Sequence, residues 1–149
     1  ATCFIVSDNI GSFNKWDIVK GLAPMPLMSD IEIKKWLEIG MDIGAHTKTH
    51  ADLTSLSKKD LNREIKNCKE ELEKKFNIEI SDFCYPYGHF NEMIYNLVKK
   101  AGYLSSVSMI RGRAVNSSDK FKLPRIPINH HTLPHLFLAK ILTKYEDKR

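Results

Sequence analysis

Short apolar segments alternate with longer segments of helical periodicity along this chain of 149 residues. The short segments are predicted to be strands and the longer ones helices. The predicted strands are 1–6, 41–45, 81–85, 104–109 and 125–128, and the predicted helices are 29–40, 57–76, 91–100 and 133–145. This order predicts an α/β domain with a mainly parallel sheet, whose functional residues lie in loops at the carboxyl ends of the strands.

Local signals support these boundaries. Ser29 followed by Glu32 predicts a capping box, Gly40 is a typical helix terminator, and Ser57 and Asn91 are favourable N-caps. The opening run of residues 1–6 is apolar and partly β-branched, which predicts a strand buried on both faces.

The composition excludes several classes of protein. The net charge is +5, but the lysines and arginines are spread out and lack the interleaved aromatic residues of a nucleic-acid groove, so no nucleic acid partner is predicted. No apolar stretch approaches the roughly 20 residues of a membrane span, so no transmembrane segment is predicted. The 3 cysteines have no CxxC spacing, which favours buried thiols over a disulfide framework or a cysteine zinc site.

Two histidines four residues apart, His46 and His50, directly follow the predicted strand 41–45. On a helical turn, or in a loop wound like one, side chains with this spacing face the same way and can place two nitrogens on one divalent ion. The spacing alone more often marks two unrelated surface histidines. Its position at the end of a strand favours a metal site, which needs an oxygen ligand from elsewhere.

The segment Tyr85-Pro86-Tyr87-Gly88 ends the next predicted strand. Proline and glycine impose a specific loop shape there, in which backbone amides can donate to an oxyanion while aromatic rings line a sugar-sized groove. Taken alone, this segment is more simply a turn with two tyrosines packed on the core. Together with the histidines it favours a functional site.

These segments, in this order, resemble the polysaccharide deacetylase family, also called carbohydrate esterase family 4 or the NodB homology domain. Residues 1–6 resemble its Ala-Thr-Phe-Phe strand, residues 40–50 its second motif, and residues 85–88 its third motif. Residues 14–17, 101–103 and 123–126 are similar to further segments of one branch of the family.

The resemblance implies a distorted (β/α) barrel in which His46 and His50 hold a divalent metal ion. Zinc is the expected ion, with cobalt, nickel or manganese as alternatives. The family's aspartate ligand and aspartate base lie in a Thr-Phe-Asp-Asp segment upstream of the Ala-Thr-Phe-Phe strand, out of register with Asp8 and Asp17. Residues 1–149 are therefore expected to form one domain of this family, incomplete at the N-terminus and lacking the first strand and its motif.

The implied reaction is hydrolysis of acetyl groups, mainly N-acetyl, from a sugar or polysaccharide substrate, with cleavage of the amide C–N bond. The backbone N–H of Tyr87 is the implied oxyanion donor, and Tyr85, Pro86 and Tyr87 are the implied substrate contacts. Cys84 stands where many members have an arginine that supports the catalytic aspartate, and Arg125 is a candidate substitute.

The family's late histidine, its general acid, has no assigned counterpart among the nearby residues His130, His131 and His135. Two histidines alone leave a metal ion under-coordinated, so weak metal binding and little turnover are expected from this chain by itself.

Two other classes of function remain open. The first is a carbohydrate-binding domain that has kept the fold and lost catalysis, which the missing aspartates favour. The second is a structural or partner-binding α/β domain in which both histidines are unliganded. Within the enzyme class, the sequence does not distinguish a polymer from a monomeric or lipid-linked sugar, or deacetylation from deformylation.

Overall fold

In the part of the chain that the structure describes, five parallel strands form the central sheet in the spatial order β1-β2-β3-β4-β5. The computed structural model describes residues 1–147, so the last two residues of the predicted domain 1–149 lie outside the described residues. The strands are β1 (Thr2–Ile5), β2 (Asp42–Ala45), β3 (Asp82–Cys84), β4 (Ser105–Arg111) and β5 (Leu123–Arg125). Because every neighbouring pair is parallel, the carboxyl ends of all five strands meet at one edge.

Helices connect the strands, as the alternating pattern predicts. They are α1 (Lys15–Ile18), α2 (Asp30–Glu38), α3 (Lys58–Asn62), α4 (Cys68–Phe76), α5 (Glu92–Lys100) and α6 (Pro134–Leu142). The capping box at Ser29 and the N-caps at Ser57 and Asn91 are confirmed, since each side chain accepts a backbone N–H three residues later. Among the described residues, no helix combines the length and the apolar character that crossing a membrane requires.

The core lies between the sheet and these helices. Its fully buried members include Phe83 on β3, Leu72 on α4 and Ile94 on α5. Of the three thiols, Cys68 and Cys84 are buried and Cys3 is half-buried. The expectation of buried thiols therefore holds for two of the three cysteines.

The first strand differs from the prediction that both its faces are buried. Thr2 is exposed, and Cys3 and Phe4 are only half-buried. The reason is the strand order, because β1 lies at one edge of the sheet and pairs with β2 alone among the described strands. An apolar composition indicates a strand but does not indicate its place in the sheet.

The prediction also missed one helix and misplaced the limits of the last strand and the last helix. Between β1 and α2, where no helix was predicted, the chain forms helix α1, whose four residues are too few for a periodic pattern. The last strand is Leu123–Arg125 rather than 125–128, because pairing with β4 places Val107 opposite Leu123. The last helix ends at Leu142 rather than at residue 145, because the backbone of Thr143 is extended.

The expected helix 57–76 is continuous but not uniform. Between α3 and α4, residues Arg63–Asn67 adopt the wider π geometry. Such a turn carries one extra residue and therefore changes which side chains face the sheet.

Gly44 leaves no room for a side chain where β1 and β2 pair. A Cβ atom there would lie 2.6 Å from the ring of Phe4 and 2.9 Å from the carbonyl oxygen of Asp82. Gly44→Ala is therefore expected to lower the free energy of unfolding by about 1–3 kcal/mol, as overpacking typically does. Urea denaturation measures this loss.

Replacing Phe4 by a smaller residue without a ring tests the cause of this loss of stability. In a Phe4→Leu background the loss caused by Gly44→Ala is expected to shrink, because the nearest contact is with the ring. An equal loss in both backgrounds contradicts this explanation.

Candidate metal and substrate site

The two predicted motifs meet at the carboxyl edge of the sheet. The loop 46–50 follows β2, and the turn 85–88 follows the adjacent strand β3. The ring Nδ1 of His46 lies 2.7 Å from the carbonyl oxygen of Cys84. Because a carbonyl can only accept, Nδ1 carries the proton and Nε2 keeps its lone pair. This bond gives His46 the orientation and tautomer typical of a metal-ligating histidine.

The second histidine is brought back to the first by a tight loop rather than a helical turn. Both Thr47 and His50 have left-handed backbones, with φ of 66° and 62°. The buried hydroxyl of Thr47 accepts the backbone N–H of His50 at 3.0 Å. The ring centroids of His46 and His50 are consequently 4.7 Å apart, with the planes nearly perpendicular at 84°.

Aromatic rings enclose His50, which is only 9% exposed. Trp16 of α1 stacks on it at a centroid distance of 4.2 Å and an interplanar angle of 15°. Tyr87 meets it edge-on at 4.8 Å, and the ammonium of Lys20 lies 4.4 Å from the centre of the Tyr87 ring. The site therefore joins the segment between β1 and α2 to the two motifs.

Burial keeps both imidazoles in the neutral form. Desolvation lowers the pKa of His46, and the positive charge of Arg125 lowers it further, against the opposing effect of the bond to Cys84. Desolvation and the neighbouring His46 together lower the pKa of His50 to about 4. Neutral imidazole is the form that binds metal ions, so both rings are ready to ligate at neutral pH.

The chemistry of these donors fits a divalent ion in part. His46 has a free Nε2, and the buried Nδ1 of His50 has no hydrogen-bond partner among residues 1–147. The described residues do not, however, place three or more His, Cys, Asp or Glu side chains around one point. This part of the chain thus offers two candidate nitrogen ligands, without a third side chain of these types beside them.

The structure separates the three residues implied as substrate contacts. Tyr85 is 1% exposed, and its hydroxyl donates to the carbonyl of Phe121 at 2.9 Å. Pro86 is also fully buried, whereas Tyr87 is half-buried beside His50 with a left-handed backbone, φ 57°. Only Tyr87 of the three therefore presents its side chain at the site, and the oxyanion role of its backbone N–H stays a prediction.

Arg125 lies at the end of β5, close to the position where many family members have their arginine. Its Nε donates to the carbonyl of Ser108 at 2.7 Å. Burial raises the pKa of the Cys84 thiol, and the charge of Arg125 and a hydrogen bond from it oppose that rise. The guanidinium thus reaches Cys84 and influences His46, although a catalytic role for Arg125 stays a prediction.

Sequence reasoning missed other neighbours of the site. Trp16 and Lys20 belong to a segment for which no helix or strand was predicted. The sequence signal that could have pointed to them was the resemblance of residues 14–17 to one branch of the family. His89 follows the Tyr-Pro-Tyr-Gly turn, is exposed, and pairs with Asp52 at 2.9 Å. The three later histidines, His130, His131 and His135, are all exposed.

A cavity of about 220 Å³ adjoins His46 on the side of β1. It is lined mainly by apolar residues of β1 and of the segment before α2, and it reaches both Trp16 and His46. The half-buried face of the edge strand therefore opens onto the site.

Comparison with known proteins decides the family. The sequence profile described as "Polysaccharide deacetylase" matches residues 1–105, which is more than half of the chain. The chain belongs to the polysaccharide deacetylase family. The family predicted from residues 1–6, 40–50 and 85–88 is thereby confirmed.

Individual relatives agree with this assignment. The poly-beta-1,6-N-acetyl-D-glucosamine N-deacetylase of Staphylococcus aureus is 28% identical over 151 aligned positions, covering 91% of this chain and 48% of the relative. The chain spans about half the length of the curated relatives it matches.

Solved structures confirm the fold class. The Streptococcus pyogenes deacetylase PplD, in complex with acetate, matches with a TM-score of 0.79 and 24% identity over 94% of this chain and 57% of that chain. A polysaccharide deacetylase of Bacillus cereus matches with a TM-score of 0.79 and 26% identity over 95% of this chain and 41% of that chain. The five described strands and their helices are therefore part of a (β/α) barrel of the NodB type.

The low pKa of His50 predicts how stability depends on pH. Between pH 6.5 and about 4 the unfolded chain binds a proton at this residue and the folded chain does not. The free energy of unfolding is therefore expected to fall as the pH is lowered through this range. Denaturant titrations at several pH values measure the effect in the metal-free protein.

His50→Asn removes the titrating group and serves as the control. Its free energy of unfolding is expected to fall less steeply over the same range. Identical pH profiles for the two proteins contradict the burial of a neutral His50.

Proposed function

We propose that the chain is part of a metal-dependent hydrolase that removes acetyl groups, mainly N-acetyl, from a carbohydrate. His46 and His50 would hold the ion, with zinc expected. The observation that carries this proposal is the contact between two neutral imidazoles at the strand edge, with the Nε2 of His46 freed by the bond from Nδ1 to Cys84.

A bound divalent ion would lower the pKa of a water molecule and polarise the acyl oxygen, so that hydroxide attacks at neutral pH. The protein's own residues prepare the surroundings for this step. Trp16 stacks on one face of His50 and Tyr87 meets the ring edge-on, so both reduce its contact with water, and the Cys84 carbonyl fixes the tautomer of His46. Exclusion of water strengthens electrostatic interactions at the reacting centre.

The turn after β3 would stabilise the oxyanion. We assign the donor to the backbone N–H of Tyr87, the one half-buried residue of the turn that contacts His50. One such donor typically contributes about 2.7–4 kcal/mol to lowering the barrier. The Tyr87 ring, with Lys20 against its face, would contact the sugar.

Arg125 is proposed to support an anionic group at the site. Its guanidinium lies against Cys84 and lowers the pKa of His46 through its positive charge. The resemblance places the arginine that supports the catalytic aspartate at the position of Cys84.

The proposal assigns the third metal ligand and the carboxylate base to residues other than 1–147. The resemblance places them upstream of β1, whose outer edge is not paired with another described strand and whose face borders the cavity at His46. Residues 1–149 are in this proposal one domain, incomplete without that upstream segment. The name of the Staphylococcus aureus relative supports an N-acetylated sugar polymer as substrate.

A second candidate function is a carbohydrate-binding domain of the same fold without catalysis. The specific observation in its favour is that the described residues offer two metal ligands rather than three. The two candidate functions use the same residues at the carboxyl edge of the sheet, but they differ in whether acetate is released.

Metal binding tests the ligand assignment directly. His46→Ala and His50→Ala are each expected to abolish zinc binding by the 149-residue chain, because one imidazole cannot hold the ion alone. Isothermal titration calorimetry with Zn²⁺ measures the change. The exposed His131→Ala is the matched control and is expected to bind like the unaltered chain.

The same substitutions, made in a chain extended to include the upstream aspartates of this proposal, discriminate the two functions. Zinc-dependent acetate release from an N-acetylglucosamine oligomer, lost in His46→Ala, supports the hydrolase. Retention of stoichiometric zinc by His46→Ala contradicts the ligand assignment, and oligomer binding without any acetate release favours the binding domain.

A further inference from the structure

A carboxylate on the helix beneath the site is bonded to the loop that joins the two histidines. Glu64 lies in the π turn between α3 and α4 and is 4% exposed. Its Oε2 accepts the backbone N–H groups of Lys48 and Thr49, each at 2.9 Å, and its Oε1 accepts the hydroxyl of Thr49 at 3.0 Å. Both oxygens are therefore engaged by residues lying between His46 and His50.

These bonds hold the part of the loop that lies between two residues in an unfavourable backbone conformation. Thr47 and His50, on either side of the two bonded amides, have left-handed backbones. A β-branched residue rarely adopts this conformation, and it persists only where the surrounding structure holds it. Hydrogen bonds from backbone amides to a buried carboxylate are charge-assisted and hence strong enough to do so.

Other bonds also hold the loop. The carbonyl oxygens of Thr47 and Lys48 accept the backbone N–H groups of Ser7 and Asp8 at 3.2 and 2.9 Å. The ammonium of Lys48 pairs with Asp8 at 3.1 Å and with Glu71 of α4. Glu64 is the described side chain that accepts the amides of both Lys48 and Thr49.

The sequence contained a signal for this residue. Glu64 lies three residues after Leu61 and four before Cys68, on the same apolar stripe that packs against the core. A carboxylate in such a position is costly unless it is fully hydrogen-bonded. The π turn places it there, and such turns are frequent at functional sites.

We propose that Glu64 is a positioning residue, which fixes the loop 47–49 so that the imidazoles of His46 and His50 converge on one cation. The inference rests on the proposed function for the identity of the ligand. The placement of the loop by Glu64 is independent of it.

Three substitutions separate hydrogen bonding from bulk and charge. Glu64→Leu keeps the approximate shape and removes both acceptors. Glu64→Gln keeps one oxygen for the two amides, while its NH₂ group can donate to the Thr49 hydroxyl. Glu70→Gln, on the exposed face of the same helix, is the matched control.

The first measurement uses the metal-free protein. In the unaltered chain, NMR is expected to show a nuclear Overhauser contact between the rings of His46 and His50, together with slow hydrogen exchange at the amides of Lys48 and Thr49. Glu64→Leu is expected to lose the ring contact and to exchange these amides at least tenfold faster. Glu64→Gln and Glu70→Gln are expected to retain both features.

The second measurement is the affinity for Zn²⁺ by calorimetry. Glu64→Leu is expected to bind about 10–100-fold more weakly, the loss typical of residues that orient metal ligands. Glu64→Gln is expected to lose less than tenfold, and Glu70→Gln is expected to bind as the unaltered chain does.

The outcomes are distinguishable. If neither the unaltered chain nor a chain extended to include the upstream aspartates binds zinc, the proposed function fails and the NMR arm still decides the role of Glu64. A Glu64→Leu protein with unchanged ring contact and loop exchange overturns the inference. If Glu64→Leu does not fold, Glu64→Asp is the deciding variant, because its shorter side chain keeps the charge but draws the carboxylate away from the loop. A ring contact and amide exchange in Glu64→Asp equal to those of the unaltered chain then overturn the inference.

Discussion

The hydrogen bond between the His46 ring and the Cys84 carbonyl joins the two halves of the site. It spans adjacent parallel strands and is possible only because β2 and β3 end at the same level of the sheet. The bond sets which nitrogen of His46 is free, and the position of His46 in turn sets where the ring of His50 can lie. The ligand geometry proposed for the metal therefore depends on the pairing of two short strands.

Desolvation keeps the histidines of this site in the neutral form that binds metal ions, and it also lowers the stability of the fold. Trp16 and Tyr87 remove His50 from water, which keeps it neutral at the pH where a metal ion must compete with protons. The same burial penalises the protonated ring and so weakens the fold in acid. Left-handed backbones at Thr47, His50 and Tyr87 are a further cost, concentrated within the two motifs. Such local strain is sustained by rigid neighbours, of which the helix bearing Glu64 is one.

Family membership and the proposed activity rest on different observations. The family follows from the match over residues 1–105 and the fold from the shared barrel architecture. The proposed activity depends on a ligand set to which His46 and His50 would contribute two imidazoles. The hydrolase and the binding domain would share nearly all of this structure, and they would differ in the carboxylate ligand and carboxylate base that the proposal assigns to residues other than 1–147.

The sequence by itself determined the element order, the helix caps and the two motifs, because periodicity, capping residues and short spacings are local properties. His46, His50 and the Tyr-Pro-Tyr-Gly turn were recognisable for this reason. Only the tertiary structure decided that Tyr85 belongs to the core, that β1 lies at an edge, and that Trp16, Arg125 and Glu64 surround the histidines. These contacts join residues far apart in the chain, and they follow from the order in which strands pair and from a π turn, neither of which a local pattern encodes.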